Sequence, residues 1–192
     1  EAIMRTDPRV QLVSRPQPRS YAKAIVTGLL YALQHGYEVI ATLDADFSHD
    51  PADLPRLLSA LDQGDVAVGS RYIGGIRVLN WDVRRLLLSL AANAYIRGLS
   101  GLQCTDCTGA FRAYRASALD SAALPKIRAS GYVFNPELLF AMPRARLVEV
   151  PICFTERRLG QSKMTGGVIA EAIVRPWGLW LRRGLRTLGL GR

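Results

Sequence analysis

Residues 43–51 read LDADFSHDP. They close the run EVIATL at 38–43, a β-branched stretch of the kind that fills a buried parallel strand. Along an extended chain, residues i and i+2 share a face, so the spacing predicts Asp44 and Asp46 side by side at the carboxyl end of that strand. Two carboxylates about 6 Å apart repel by roughly 3 kcal/mol at an effective dielectric of about 20. Such a pair calls for a cation. Hard oxygen ligands of this kind suit Mg²⁺ or Mn²⁺ completed by substrate phosphates. Asp50 and Pro51 follow as the N-cap and first turn of a helix running to about residue 63.

The flanking pattern places this stretch in an α/β chain. Residues 10–13 read as a strand, broken by Pro16 and Pro18, and residues 21–35 repeat apolar positions at helical spacing until Gly36. Strand, helix, strand is a βαβ unit, and open α/β sheets bind ligands at the carboxyl ends of their strands. Downstream, DVAVGS at 65–70 is a second buried strand, followed by Arg71 and a glycine-containing loop to Trp81. A long helix over 82–99 carries Arg84 and Arg85 near its start, and residues 106–114 read as a turn and a strand. Short helices are expected near 117–119 and 136–141, and a strand over 147–154. A polar loop over 155–165 holds Arg157, Arg158 and Lys163, and residues 168–188 read as helix with a break at Pro176.

Composition narrows the partners. In 192 residues the formal net charge is +9 and the pI about 10.0, which asks for an anionic partner. Basic residues interleaved with aromatics are sparse in the first half, and no helix-turn-helix, RNA-recognition or zinc-finger signature occurs, so no nucleic acid is expected. Cys104 and Cys107 have CxxC spacing without a second pair, and with Cys153 the count is odd; ordinary thiols in a reducing compartment fit better than a disulfide framework or a zinc site. No apolar run reaches the roughly 20 residues needed to span a bilayer. Trp177, Trp180, Leu181, Leu185 and Leu188 can share a helical face apart from Arg175, Arg182, Arg183 and Arg186, the pattern of a helix lying in a membrane interface; the alternative is a core-packing helix with a solvated arginine face.

Taken in order, LDADFSHDP, GSRYIGG, Trp81 with Arg85 and Ser89, DCTGAFRAYR, GYVFNPE and FTERRLGQSKM resemble the polyprenol- or dolichol-phosphate mannosyltransferases of glycosyltransferase family 2, from about residue 10 to about residue 166. The resemblance implies a GT-A (Rossmann-like) sheet with helices on both faces. It divides the chain into a catalytic domain over 1–166 and an amphipathic membrane-interface helix over 167–192. It implies inverting transfer of mannose from GDP-mannose to a polyprenyl phosphate, peripheral on the cytoplasmic face of a membrane. Alternatives are a sister enzyme using another sugar nucleotide such as UDP-glucose, and a non-catalytic remnant that binds membranes.

The implied roles fall on particular residues. Asp44 and Asp46 would hold Mg²⁺ or Mn²⁺ on the donor diphosphate, with Ser48 standing where relatives often carry Gln as a further metal-side ligand. Arg157, Ser162 and Lys163 would grip the diphosphate, and Asp46, Arg157 and Lys163 would carry catalysis. Arg71, Arg85 and Ser89 would receive the lipid phosphate, while Asp106, Thr108 and Glu137 would lie on the acceptor and sugar side. His49 is expected to be structural. The family normally opens with a strand ending in Pro-Thr-Tyr-Asn-Glu and a second strand with its own acidic pair for the nucleoside. Neither pattern occurs here, so N-terminal strands and most of the base recognition are expected to be missing.

Overall fold

The computed structural model describes residues 6–15, 20–129, 131–156 and 166–189. Helix α1 spans Tyr21–Gln34, with the Ser20 side chain accepting from the Lys23 N–H at its N-cap. Strand β1, Val39–Thr42, follows. After the 43–50 turn, a 3₁₀ turn over Pro51–Asp53 leads into helix α2, Leu54–Ala60, with Asp50 capping as expected. Strand β2 is Val66–Ser70, β3 is Val78–Leu79, and helix α3 is Val83–Ser100. Asp82 caps α3, and Gly101 ends it at φ 75°, the left-handed conformation that a glycine adopts without steric cost. Strand β4, Arg112–Arg115, helix α4, Phe134–Phe140, strands β5, Leu147–Pro151, and β6, Phe154–Thr155, and helix α5, Gly166–Thr187, complete the order.

The main sheet runs β1-β4-β2-β5 and is mixed. Strand β4 pairs antiparallel with both β1 and β2, and only β2 and β5 run parallel. Every residue of β2 is buried, as its unbroken apolar sequence requires. Strand alternation then sorts the core into two layers. Val66, Val68 and Tyr114 face a large cluster with Leu29, Ile96, Phe134 and Leu138 from α1, α3 and α4. Ala67, Ala113 and Val150 face a smaller one with Leu57 and Leu61 beside α2. Helices therefore cover both faces.

Several expectations change. Residues 10–13 form no strand: Asp7 to Val10 make a turn closed by the Val10 N–H on the Asp7 carbonyl, and Val10, Leu12 and Val13 are exposed. The βαβ unit is thus not built there, and β1 pairs antiparallel with β4 rather than lying within a parallel sheet. The predicted strand over 147–154 is two strands. The second leaves the main sheet to pair with β3, after the Ile152 N–H bonds the Ser70 carbonyl. Helix α5 continues through Pro176 without a break.

Helix α5 is built into the domain rather than appended to it. Leu179 is 1% exposed, Ala172 packs against the large cluster, and the Ile173 carbonyl accepts the Tyr95 hydroxyl of α3 at 2.7 Å. Arg175 pairs with Glu171, Arg182 reaches Glu137 at 3.0 Å, and Arg186 donates to the Phe140 carbonyl at 3.0 Å. These three arginines lie within about 40° of one line along the helix. Arg182 and Arg186 tie α5 to α4, while Arg175 pairs within α5 to Glu171, whose carboxylate accepts the Gly131 N–H at 3.1 Å. The face turned to solvent carries Ile169, Ile173, Val174, Trp177, Trp180, Leu181 and Leu185, spread over roughly 160°. Among the described residues no helix is long and apolar enough to cross a membrane.

Leu179→Ala is expected to lower the stability of the whole cooperative unfolding transition by about 2–5 kcal/mol, as for other buried leucines. Trp180→Ser should leave it nearly unchanged. Urea denaturation followed by far-UV circular dichroism checks both.

Candidate active site

The aspartate stretch is not an extension of β1. That strand ends at Thr42, and residues 44–49 form a turn in which Phe47 takes φ 62°. A non-glycine residue there is strained by about 1 kcal/mol or more. The turn, rather than strand alternation, places Asp44 and Asp46. Ser48, buried, donates both its N–H, at 3.1 Å, and its hydroxyl, at 2.5 Å, to Asp46 Oδ1. It therefore orients Asp46, whatever else it contacts.

His49 holds the turn from beneath. Its Nδ1 accepts the Asp44 N–H at 3.1 Å, which places the ring proton of the neutral form on Nε2. The ring is 4% exposed and sits between Phe111 and Phe154, at 5.2 and 5.3 Å between centroids. Burial, helped by the charge of Arg71, pushes its pKa down from 6.5 to about 4. Strand β6 closes on the turn as well, through the Thr155 N–H on the Ser48 carbonyl.

From Phe154 the site continues into a cationic corner. Trp81 packs edge-on against Phe154 at 5.5 Å, and the Arg85 guanidinium lies over the Trp81 ring at 4.1 Å. Arg85 also pairs with Glu156 at 2.5 Å. One helical turn on, the Ser89 hydroxyl meets the Tyr72 hydroxyl at 2.6 Å. The Trp81 indole N–H is buried and finds no acceptor among the described residues.

Arg71 backs this corner. It is 8% exposed, and one edge of its fork is filled by Asp106: Nε to Oδ2 at 2.6 Å and Nη2 to Oδ1 at 2.7 Å, with Nη2 also reaching Thr108 Oγ1 at 2.9 Å. Burial opposes the Asp106 charge, but Arg71 outweighs it and holds the carboxyl below the usual range. Only the Nη1 edge has no protein acceptor among the described residues, so Arg71 offers a positive field and one edge rather than an open fork.

Two residues the sequence reading did not single out fix the 105–109 loop. Glu149 of β5 accepts the Thr105 and Asp106 N–H groups and the Thr105 hydroxyl. Asn93 of α3 accepts the Thr108 N–H and donates to Thr108 Oγ1. A carboxylate inside the apolar strand LVEVP and an amide on the buried side of α3 were the available signals. Cys107 and Cys104 are buried free thiols; burial raises both, Cys104 to about 11, which makes them unreactive.

The structure thus brings together Asp44, Asp46, Ser48, Arg71, Arg85, Ser89, Asp106 and Thr108. Glu137 does not join them. Its buried carboxylate accepts the Ala129 N–H at 3.1 Å and Arg182 at 3.0 Å, which makes it an anchor for α5. Arg157, Ser162 and Lys163 lie outside the described residues.

The glycosyl transferase family 2 model matches residues 1–122. The chain belongs to that family. It is 43% identical over 190 residues to the undecaprenyl-phosphate mannosyltransferase of Micrococcus luteus, covering 96% of this chain and 78% of that protein. It is 44% identical to the polyprenol monophosphomannose synthase of Mycolicibacterium smegmatis, over 89% of this chain and 66% of that protein. Against the dolichol-phosphate mannosyltransferase of Pyrococcus furiosus the identity is 32%, over 84% of this chain and 45% of that protein. The mixed α/β architecture with helices on both faces of the sheet is that of a family 2 glycosyltransferase domain.

Two outcomes follow from the packing of this family 2 site. Asp106→Asn leaves the Arg71 charge buried without its partner and is expected to cost about 3–5 kcal/mol in a urea titration. Because His49 stays neutral in the fold down to about pH 4 while the unfolded chain protonates near 6.5, its contribution is complete above pH 6.5 and declines as pH falls between those values, by up to roughly 3 kcal/mol. His49→Asn, which keeps an acceptor for the Asp44 N–H, should show a shallower loss of stability over that range than wild type.

Proposed function

We propose that this chain transfers mannose from GDP-mannose to a polyprenyl phosphate, with inversion at the sugar carbon, at a membrane surface. The observation that carries the reading is the contiguity of the two half-sites. The aspartate turn reaches the cationic corner of Arg71, Trp81, Arg85 and Ser89 through His49 and Phe154, and through the Thr155 N–H on the Ser48 carbonyl beside Glu156, which pairs with Arg85. A donor diphosphate at the first and an acceptor phosphate at the second would be neighbours. The names of the relatives support mannose as the sugar and a polyprenyl phosphate as the acceptor.

An acceptor phosphate oxygen is already ionised at neutral pH, so the residues need only position it. One of its oxygens bonds to the sugar carbon as the bond from that carbon to the diphosphate breaks, and the nucleoside diphosphate leaves with the electron pair. No general base is required, and His49, neutral with its Nδ1 occupied, is not asked to be one. Arg85 on its indole platform, Ser89 and the free edge of Arg71 would hold the acceptor. Arg157, Ser162 and Lys163 would bind the donor diphosphate.

Asp44 and Asp46 fit a magnesium or manganese ion of the kind held by one or two carboxylates and completed by substrate phosphates. Among the described residues no group of three acidic, histidine or cysteine side chains could hold a metal without the substrate. When bound, such an ion would neutralise charge developing on the leaving diphosphate. The outward apolar face of α5, with exposed Val83, Leu87 and Leu88 of α3 beside Arg85 and Ser89, suits a peripheral position on a bilayer that presents the lipid acceptor.

Transfer of radiolabelled mannose from GDP-mannose to a short polyprenyl phosphate, with Mg²⁺ or Mn²⁺, tests this. Asp46→Ala should lose about 100-fold or more, and Arg85→Ala should raise the KM for the polyprenyl phosphate more than the KM for the donor. Transfer from UDP-glucose but not from GDP-mannose would overturn the donor assignment.

A further inference from the structure

A cavity of about 450 Å³, none of whose lining residues belongs to the aspartate turn, is lined by Lys126, Arg128, Glu137, Arg175 and Arg182. Arg175 and Arg182 are spoken for, by Glu171 and Glu137. Lys126 and Arg128 are exposed and meet no carboxylate among the described residues. Four cations and one carboxylate therefore line the cavity, and the two cations without a carboxylate partner among the described residues are both exposed. The wall has a definite place on α5. Arg175 and Arg182 lie roughly 60–80° around the helix from Leu185, where the outward apolar face begins. On a helix of ordinary girth that is an arc of about 6 Å. A helix sunk by its apolar face about 5–10 Å into the acyl boundary carries this flank at headgroup depth.

We propose that this cavity binds the phosphate of an anionic phospholipid headgroup and so fixes the rotation of α5 on the membrane. This deepens the membrane-surface reading above and rests on it. The cations supply the attraction and the walls supply the geometry: Arg182 and Arg175 are held in place by their own carboxylates, while Lys126 and Arg128 remain available to a phosphodiester. The apolar face alone would bind neutral and anionic bilayers alike; the cavity adds preference for negative charge.

The test is sedimentation of the full chain with vesicles of phosphatidylcholine alone, and with phosphatidylcholine containing phosphatidylglycerol. Wild type should bind both and prefer the anionic vesicles. Lys126→Gln with Arg128→Gln should reduce affinity for anionic vesicles by roughly tenfold or more while leaving neutral vesicles unaffected. The charge-matched control Arg9→Gln with Arg56→Gln, neither of which lines the cavity, should change the preference far less. Trp177→Ser with Trp180→Ser should weaken binding to both vesicle types. Equal losses in the cavity pair and the control would overturn the proposal in favour of diffuse attraction by net charge, leaving the membrane reading intact. No binding to either vesicle type would overturn both together. Mannose transfer in detergent, read separately, should be unchanged in the Lys126/Arg128 pair.

Discussion

A buried guanidinium and a buried carboxylate meet where β2 ends. Arg71 and Asp106 are each almost wholly removed from water, and the fork between them is short and two-pronged. Desolvating two such charges costs several kcal/mol each, and their attraction offsets this only when the geometry is good and the remaining lone pairs are satisfied. Here they are: Asp106 also accepts the Arg71 and Gly109 N–H groups, and its own N–H goes to Glu149. The pair thus joins β2, β5 and the loop before β4. Asn93 ties the same loop to α3, which carries Arg85 and Ser89. Under the proposed function the site receives phosphate, and cations whose positions are set beforehand leave little reorganisation for the moment of binding.

Helix α5 reverses the usual amphipathic arrangement of a surface helix. Its arginines point along the body and are consumed by Glu171, Glu137 and the Phe140 carbonyl, while its tryptophans point outward. An apolar face of that width is costly in water unless something covers it. The same helix is fastened through Leu179 and through the Tyr95 hydroxyl, so its exposure is not the result of loose attachment. Whatever surface α5 meets is therefore met by an element that lies against α3, the same helix that carries Arg85 and Ser89.

The aspartate turn shows how strain and support coexist. Phe47 sits in a left-handed conformation that its side chain disfavours, while Ser48 locks Asp46 and His49 locks the Asp44 backbone. A buried, neutral imidazole is well suited to that task, since a protonated ring would lose its acceptor and place a second positive charge near Arg71.

Local pattern alone gave the helices over 21–35 and 82–99, the cap at Asp50, the buried strand at 66–70 and the presence of two carboxylates at a strand end. Each rests on periodicity or capping within a few residues, and those forces act without knowledge of the rest of the chain. The order of the motifs was enough to point to the family, and to most of the residues that cluster. Strand partners were not legible. Residues 10–13 have a strand's composition but no partner among the described residues, and β4 enters antiparallel between β1 and β2, because pairing depends on segments far apart in sequence. Nor could spacing tell that Arg71 spends most of its fork on Asp106, or that Glu137 accepts from Arg182 and the Ala129 N–H. A charged side chain in a sequence declares only that it needs a partner. Which partner it finds, and whether anything is left over for a ligand, is settled by what the fold places within 3 Å of it.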